Sequence, residues 1–281
     1  MVDVGARPLL ALRADCANCF GLCCVALQFE RSADFAFDKA AGEPCVNLEE
    51  DFRCGIHARL RDSGFKGCTV YDCFGAGQRV AQETYDGVSW RSAAGSAAEM
   101  FAVFPIVRQL HEMLWYLAES LELYSAADLH PALREAFERV DGLAAGAASE
   151  IRQLDVAAER VRVGHLLDEV SARVRGAARA TSVPLPRRVL PGADLLGAKL
   201  VDVDLRGANL RGAYLIAADL SGADLSAADL LGTDLRDAEL AGANLGSALF
   251  LTQFQVNAAR GDAATVLPAS LSRPGHWGNW R

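Results

Sequence analysis

Eight cysteines dominate the chemistry open to this 281-residue chain: Cys16, Cys19, Cys23, Cys24, Cys45, Cys54, Cys68 and Cys73, with none after that point. Thiolates are soft ligands that suit zinc and iron–sulfur clusters. The Cys16-x2-Cys19 step lets two thiolates face one ion from a tight turn. Eight thiolates could complete two four-coordinate zinc sites, or hold one cluster plus one zinc. The C-x2-C-x2-C-x3-C-P run of bacterial ferredoxins is absent. So is a paired zinc ribbon, because only one C-x2-C occurs. The vicinal pair Cys23-Cys24 constrains any ligand set. Adjacent side chains of an extended chain point to opposite sides, so either the pair serves two sites or the backbone turns there. An even count in a short segment also fits a disulfide scaffold. The start, Met1 to Pro8, lacks the basic-then-apolar pattern of a secretory signal, so a reducing cytoplasm is expected, with metal preferred over disulfides or redox-active thiols.

Other chemistry is scarce. There is no P-loop and no Ser/His/Asp order, and Gly75-Ala-Gly77 lacks the third glycine of a dinucleotide loop. His57, His111, His130, His165 and His276 are scattered. His111-Glu112 does not continue as H-E-x-x-H, because position 115 is Trp. His57, three residues after Cys54, is a candidate ligand or supporting donor, although a plain surface histidine is the preferred reading beside eight thiols. No catalytic residue is assigned.

The cysteine block reads C-x2-C-x3-CC, then Pro44-Cys45-Val-Asn-Leu, Phe52-Arg-Cys54-Gly-Ile-His57 and Gly67-Cys68-Thr-Val-Tyr-Asp-Cys73. Over residues 14–76 it resembles the YkgJ family of small bacterial zinc- or iron-chelating domains. The first gap departs from that pattern, since the family often reads C-x3-C. The resemblance implies a metal or cluster held by these cysteines, without choosing between them.

Three compositional zones must position this chemistry. Residues 1–80 carry the cysteines. Residues 95–180 are rich in Ala, Leu, Glu and Arg and read as helix. Met100, Val103, Phe104, Val107, Leu110, Leu114, Leu117 and Leu121 form an apolar stripe of about 25 residues, with a kink or restart expected at Pro105. The aromatics Phe101, Phe104, Trp115 and Tyr116 read as ordinary helix packing. A second helix is expected over 131–143, capped near Asp128 or His130. A third is expected over 147–179 on Ile151, Leu154, Val161, Leu166 and Val170, and the three could form a bundle. The Thr181-Ser-Val-Pro-Leu-Pro stretch marks a boundary. Of 28 basic residues only Lys39, Lys66 and Lys199 are lysines, which reads as coding bias.

Residues 190–252 repeat every five. Apolar centres fall at each fifth position from Leu195 to Leu245 and end at Phe250. Alanine stands two residues before each, except for Val203 and Thr233. Period five fits neither 3.6 nor 7, which excludes a helix or coiled coil and points to a solenoid. Residues two apart share a face, so the Ala and Leu positions point inward. The pattern A-(D/N)-L-x-x resembles the pentapeptide-repeat family, which implies a right-handed quadrilateral β-helix of about three coils. Residues 253–281 resemble the tail that often follows such repeats in actinobacterial proteins, and are expected to cap the solenoid's end.

The expected architecture is therefore multidomain: cysteine-rich metal module, helical middle, β-helix and C-terminal cap. Net charge is −8 with a pI near 5.2, so a general nucleic-acid binder is disfavoured. No apolar run reaches membrane-spanning length. Residues 193–252 hold 9 acidic and 4 basic side chains. That acidity could imitate DNA for a topoisomerase, but a shaft of about 14 Å would span only about four base pairs. Satisfying turn backbone is the plainer role for those Asp and Asn residues. The function expected is a non-enzymatic adaptor with zinc or an iron–sulfur cluster, a protein partner and a homodimer left open. An iron–sulfur redox or enzyme component and a DNA mimic are the alternatives.

Overall fold

The computed structural model describes residues 9, 11–180 and 183–277. The chain divides into two compact units, Met1–Leu167 and Asp168–Arg281.

The first unit begins with a cysteine segment poor in regular structure. Its helices are short: α1 (Leu22–Ala26), α2 (Lys66–Thr69) and α3 (Ala76–Arg79). Aromatic packing substitutes for hydrogen-bonded ladders. Phe29 stacks on Phe35 at 4.5 Å, and Phe37 meets Phe65 edge-on at 5.1 Å. Phe52 and Phe101 each pack on Trp90 at 5.7 Å. The Trp90 indole donates to Phe20 O at 2.8 Å, so the ring is anchored by both its face and its polar edge.

Helix α4 (Ala97–Leu121) is the long apolar axis of this unit. Every member of the predicted stripe is buried except Leu121. The helix runs unbroken through Pro105, which sacrifices one backbone bond. Helix α5 (His130–Ala144) packs along α4. Its cap is Leu129, without a side-chain bond, and Pro131 sits in the first turn, where a missing N–H costs nothing. Leu129 lies between Asp128 and His130, where the cap was expected.

The expected third helix is two. After α6 (Ala148–Ile151) the chain breaks, and the Asp155 carboxylate accepts the Ala158 N–H to start α7 (Val156–Arg179). The break resets the helical phase. The buried face of α7 is Val163, Leu167 and Val170, whereas Val161 is 61% exposed. Of the expected apolar positions, Ile151 and Val170 are buried and Leu154 and Leu166 half-buried, and Val161 is the one misplaced.

The second unit is the repeat. Parallel bridges join residues 20 apart: Asp194 to Tyr214, Lys199 to Asp219, Asp204 to Asp224 and Asn209 to Asp229, then the same four sides again one coil on. Four pentapeptides thus make one coil. Each side is too short for a strand, so among the described residues the ladder consists of isolated bridges rather than the strands expected of a β-helix. The inward leucines from Leu195 to Leu245 and Phe250 are buried, as are the alanines from Ala198 onward. At the corners that follow Leu195 to Leu240 the residue two after the leucine turns left-handed, as at Gly212 and Gly222. Ala217 and Ala227 occupy the same position with φ of 53° and 56°.

The Asp and Asn residues serve these corners. The Asp219 carboxylate accepts the Ser221 N–H at 3.2 Å, Asp229 accepts that of Leu231 at 3.0 Å, and Asn244 accepts that of Gly246 at 3.1 Å. Beyond the last coil, helix α8 (Gln253–Ala258) starts on a Thr252–Gln255 capping box. The Gln255 amide donates to Leu230 O and Thr233 O at 2.8 and 2.9 Å, and the Thr265 hydroxyl to Leu240 O at 2.8 Å. Arg260 and Val266 extend the ladder from Glu239 and Asn244. Residues after 252 therefore satisfy the open end of the coil, up to Trp277; the expected cap also includes 278–281, which lie outside the described residues.

Candidate metal centre

All eight cysteines stand as free thiols. Cys16 and Cys68 are exposed and the other six half-buried. Among the described residues, no three His, Cys, Asp or Glu side chains converge closely enough to hold an ion as they stand. They are nonetheless gathered. Helix α1 carries Cys23 and Cys24, with their sulfurs 3.9 Å apart. Two thiolates on a tetrahedral zinc with bonds of about 2.3 Å lie about 3.8 Å apart. The backbone at the pair is helical, so the side chains fan about 100° apart rather than opposing each other. Gly21, left-handed at φ 64°, opens the helix, and a Cβ there would fall 2.7 Å from Leu48 Cδ1.

Cys16, Cys19 and Cys73 are close enough to act on one another, and Cys24 acts on Cys16. A Cβ at Gly77 would sit 2.6 Å from Cys19 Sγ and 4.0 Å from Cys73 Sγ. Helix α3 is therefore glycine where it meets the sulfurs. Burial pushes the Cys19 thiol up to about 12, with Cys73 and Cys16 adding to the rise. Burial also raises Cys73, helped by Asp72 and Cys16. The Tyr71 hydroxyl is buried with no hydrogen-bond partner among the described residues. Burial raises its pKa, as do Cys23 and Cys73.

Cys45, Cys54 and Cys68 are also neighbours, and Cys24 acts on both Cys54 and Cys68. The Cys45 N–H donates to Cys24 O at 3.0 Å, and the Leu48 N–H to Cys45 O at 2.9 Å. Leu48 then bridges Cys54. Burial pushes Cys68 up to about 12, reinforced by Cys24, Cys45 and Cys54. Lys39 is 6% exposed, and its ammonium donates to Val25 O, Ala40 O and Glu43 O at 3.2, 3.0 and 2.9 Å. Cys24 is lowered, first by the hydrogen bond with Cys23 and also by the Lys39 charge. Cys23 is raised, first by the same hydrogen bond and then by burial.

His57 stands exposed in a short turn. His111 is buried in α4. Its Nδ1 donates to Phe74 O at 2.7 Å, and burial depresses its pKa to about 4. Three site residues escaped sequence reasoning. Gly77 was visible only as a failed dinucleotide loop, and Tyr71 carried no signal beyond its place between cysteines. Lys39 was signalled by lysine scarcity alone, and fixing a compact ammonium on three carbonyls is a use that an arginine fork fits poorly.

Residues 189–216 and 218–250 match the family model for pentapeptide repeats in eight copies. Over 266 residues the chain is 58% identical to "Uncharacterized protein YybG" of Bacillus subtilis (strain 168), spanning 95% of each chain. The chain belongs to the YybG family. The likeness to YybG extends well beyond the repeats, across most of both units. Solved pentapeptide-repeat structures are also similar. One is AT2G44920 from the Arabidopsis thaliana thylakoid lumen, at 29% identity over 35% of this chain and 70% of that one, with a TM-score of 0.17. Another is HetL from Nostoc sp. strain PCC 7120, involved in heterocyst differentiation regulation, at 26% identity over 28% and 44%, with a TM-score of 0.11. No helix among the described residues is long and apolar enough to cross a membrane.

Proposed function

We propose that this YybG-family protein is a non-enzymatic interaction protein of the cytoplasm. Its first unit is stabilised by thiolate-bound metal, zinc or an iron–sulfur cluster, and its solenoid offers flat faces to a protein partner or a second copy. The observation that carries the reading is that thiols from separate stretches of sequence are neighbours in the fold: Cys73 acts on Cys19, and Cys24, Cys45 and Cys54 act on Cys68. The residues fit such a group. The donor set is all sulfur, Gly77 leaves room for Cys19, and the buried Tyr71 hydroxyl stands beside Cys23 and Cys73 as a free donor toward a thiolate. The cysteine order adds the YkgJ resemblance. Bound metal supplies the folding energy that a segment with little regular structure lacks.

The solenoid interior is filled with Leu and Ala, so its side chains can act only from the surface. A DNA-mimic role is disfavoured by its carboxylates. Asp204 and Asp234 are each clasped by the arginine two residues on, at 2.7 Å, and Asp229 by Arg211. Chelation tests the reading. Stripping metal from the full chain should unfold the cysteine segment, read as lost amide protection over residues 16–80, and leave protection over 195–250 intact. Unchanged protection in both would refute it. A brown protein absorbing near 400 nm would place a cluster there instead of zinc.

A further inference from the structure

We infer that the first unit carries a guanidinium-binding site on Phe52 and Trp90, filled by the chain's own Arg91, and that an arginine side chain of a protein partner binds there by taking the place of Arg91. The site adds a contact that neither bound metal nor the solenoid supplies.

Two rings and one carbonyl build it. Phe52 and Trp90 meet edge-on, 5.7 Å apart at 67°. The Arg91 guanidinium carbon lies 4.5 Å from the Phe52 ring centre and 4.9 Å from that of Trp90, inside the roughly 6 Å over which a ring face attracts a cation. Its Nη1 donates to Glu50 O at 2.6 Å. Both rings are backed by others: Phe20 packs on Phe52 at 5.3 Å and Phe101 on Trp90 at 5.7 Å. The Trp90 indole is also pinned to Phe20 O. The pair is a fixed seat for a cation.

Three observations make it more than an internal clasp. Phe52 is left-handed, with φ of 66°, which bulky side chains rarely adopt. A tight turn holds it so, with the Glu49 N–H donating to Arg53 O at 2.8 Å and the Phe52 N–H to Glu49 O at 3.1 Å. Backbone strain of this kind collects at binding sites. Arg91 is exposed and, among the described residues, held by that carbonyl and the two rings without a carboxylate, so it is exchangeable. Glu49, Glu50 and Asp51 are exposed immediately before Phe52, and of these Asp51 alone is paired among the described residues, with Arg53 at 3.8 Å. Their charge draws a further basic group toward the seat. A planar guanidinium stacks on a ring while donating in its own plane, so the seat suits arginine better than lysine.

The test uses the full-length protein, wild type and Arg91→Ala, titrated with an acetylated and amidated Gly-Arg-Gly peptide. The citrulline peptide, similar in shape without the charge, is the control. Upfield ring-current shifts of the side-chain methylene protons report binding. In wild type Arg91 competes, and its two exposed ring contacts hold the seat closed by about fivefold or more. Arg91→Ala should therefore bind the arginine peptide at least about fivefold more tightly than wild type, and bind the citrulline peptide more weakly by a similar factor. Equal affinity of wild type and variant, or of the two peptides for the variant, would overturn the inference. So would no binding by Arg91→Ala with amide protection over residues 46–56 and 85–96 retained, the result expected of a clasp alone. Should that protection be lost, Arg91→Gln keeps a donor for Glu50 O and repeats the test, and absence of binding there overturns the inference equally. Adding Phe52→Leu to Arg91→Ala should abolish the gain; an unchanged affinity would put the peptide elsewhere and overturn the site.

Discussion

Asp229 offers a sharp test of how the solenoid is held. Its side chain is fully buried. One carboxylate oxygen accepts the Leu231 N–H at 3.0 Å, and the other lies 3.1 Å from both Nε and Nη2 of Arg211. Arg175 is close enough that Asp229 and Arg211 both act on it. Asp229→Ala leaves an unbonded N–H and two neighbouring guanidinium groups. Arg211 then keeps the Phe250 ring, 5.8 Å away, and the Asp168 carboxylate, whose side chain is 62% exposed and so compensates weakly. Removing one partner of a buried pair costs about 3–5 kcal/mol, and the orphaned N–H adds about 1–3 kcal/mol before relaxation. A loss of about 4 kcal/mol, or on the order of 15 °C in the melting of a unit this size, is expected. Asp229→Asn keeps the acceptor for Leu231, as Asn209 and Asn244 do at equivalent corners, and should cost at least about 1.5 kcal/mol less. Urea-dependent hydrogen exchange, read on peptides spanning 205–250, measures both. Equal losses for the two variants, or a loss under about 1 kcal/mol for alanine, would refute this account of the ion pair.

Three further outcomes follow from single residues. Gly77→Ala would place a Cβ 2.6 Å from Cys19 Sγ. Relief requires a sulfur shift well beyond the roughly 0.2 Å that a metal bond tolerates, so metal analysis should show less metal than in wild type; an unchanged content contradicts the cradle. His111 ionises at about 4 in the folded chain against an ordinary 6.5. The unfolded chain therefore binds its proton first on acidification. The stability of the neutral form is complete above pH 6.5 and falls toward pH 4 by about 1.4 kcal/mol per pH unit, about 3 kcal/mol in all. Denaturation curves of wild type and His111→Asn should converge in slope above pH 6.5 and diverge below it, and parallel curves down to pH 4 would contradict the assignment. Ala217→Gly removes a left-handed alanine at a corner and should stabilise the solenoid by about 0.5–1 kcal/mol in the same exchange assay, whereas destabilisation would sink the strain argument.

The solenoid was the most legible part of the sequence. The five-residue period placed Leu and Ala inward, the pentapeptide-repeat resemblance implied the four-sided coil, and the Asp and Asn residues declared their turn role by chemistry. What periodicity could not show was that each side shrinks to a single bridging residue. The helices were legible where one apolar phase persisted, as in Met100 to Leu117. The reading failed at Val161 because Asp155 restarts the helix, and a local cap outweighs a projected period. The cysteines named themselves as a site, but their grouping was hidden. It depends on Gly77 facing Cys19 and on Cys45 hydrogen-bonding to Cys24, contacts set by tertiary structure. Lys39 was hidden for the same reason: its three carbonyl partners come from Val25 in α1 and from Ala40 and Glu43 in the loop that follows Lys39.

The measurement closest to the central claim is metal, acid-labile sulfide and free-thiol content on anaerobically purified full-length protein. The account predicts about two thiolate-bound centres per chain, either zinc without colour or iron with sulfide, and no disulfides. Metal-free protein with its cysteines paired as disulfides would contradict it.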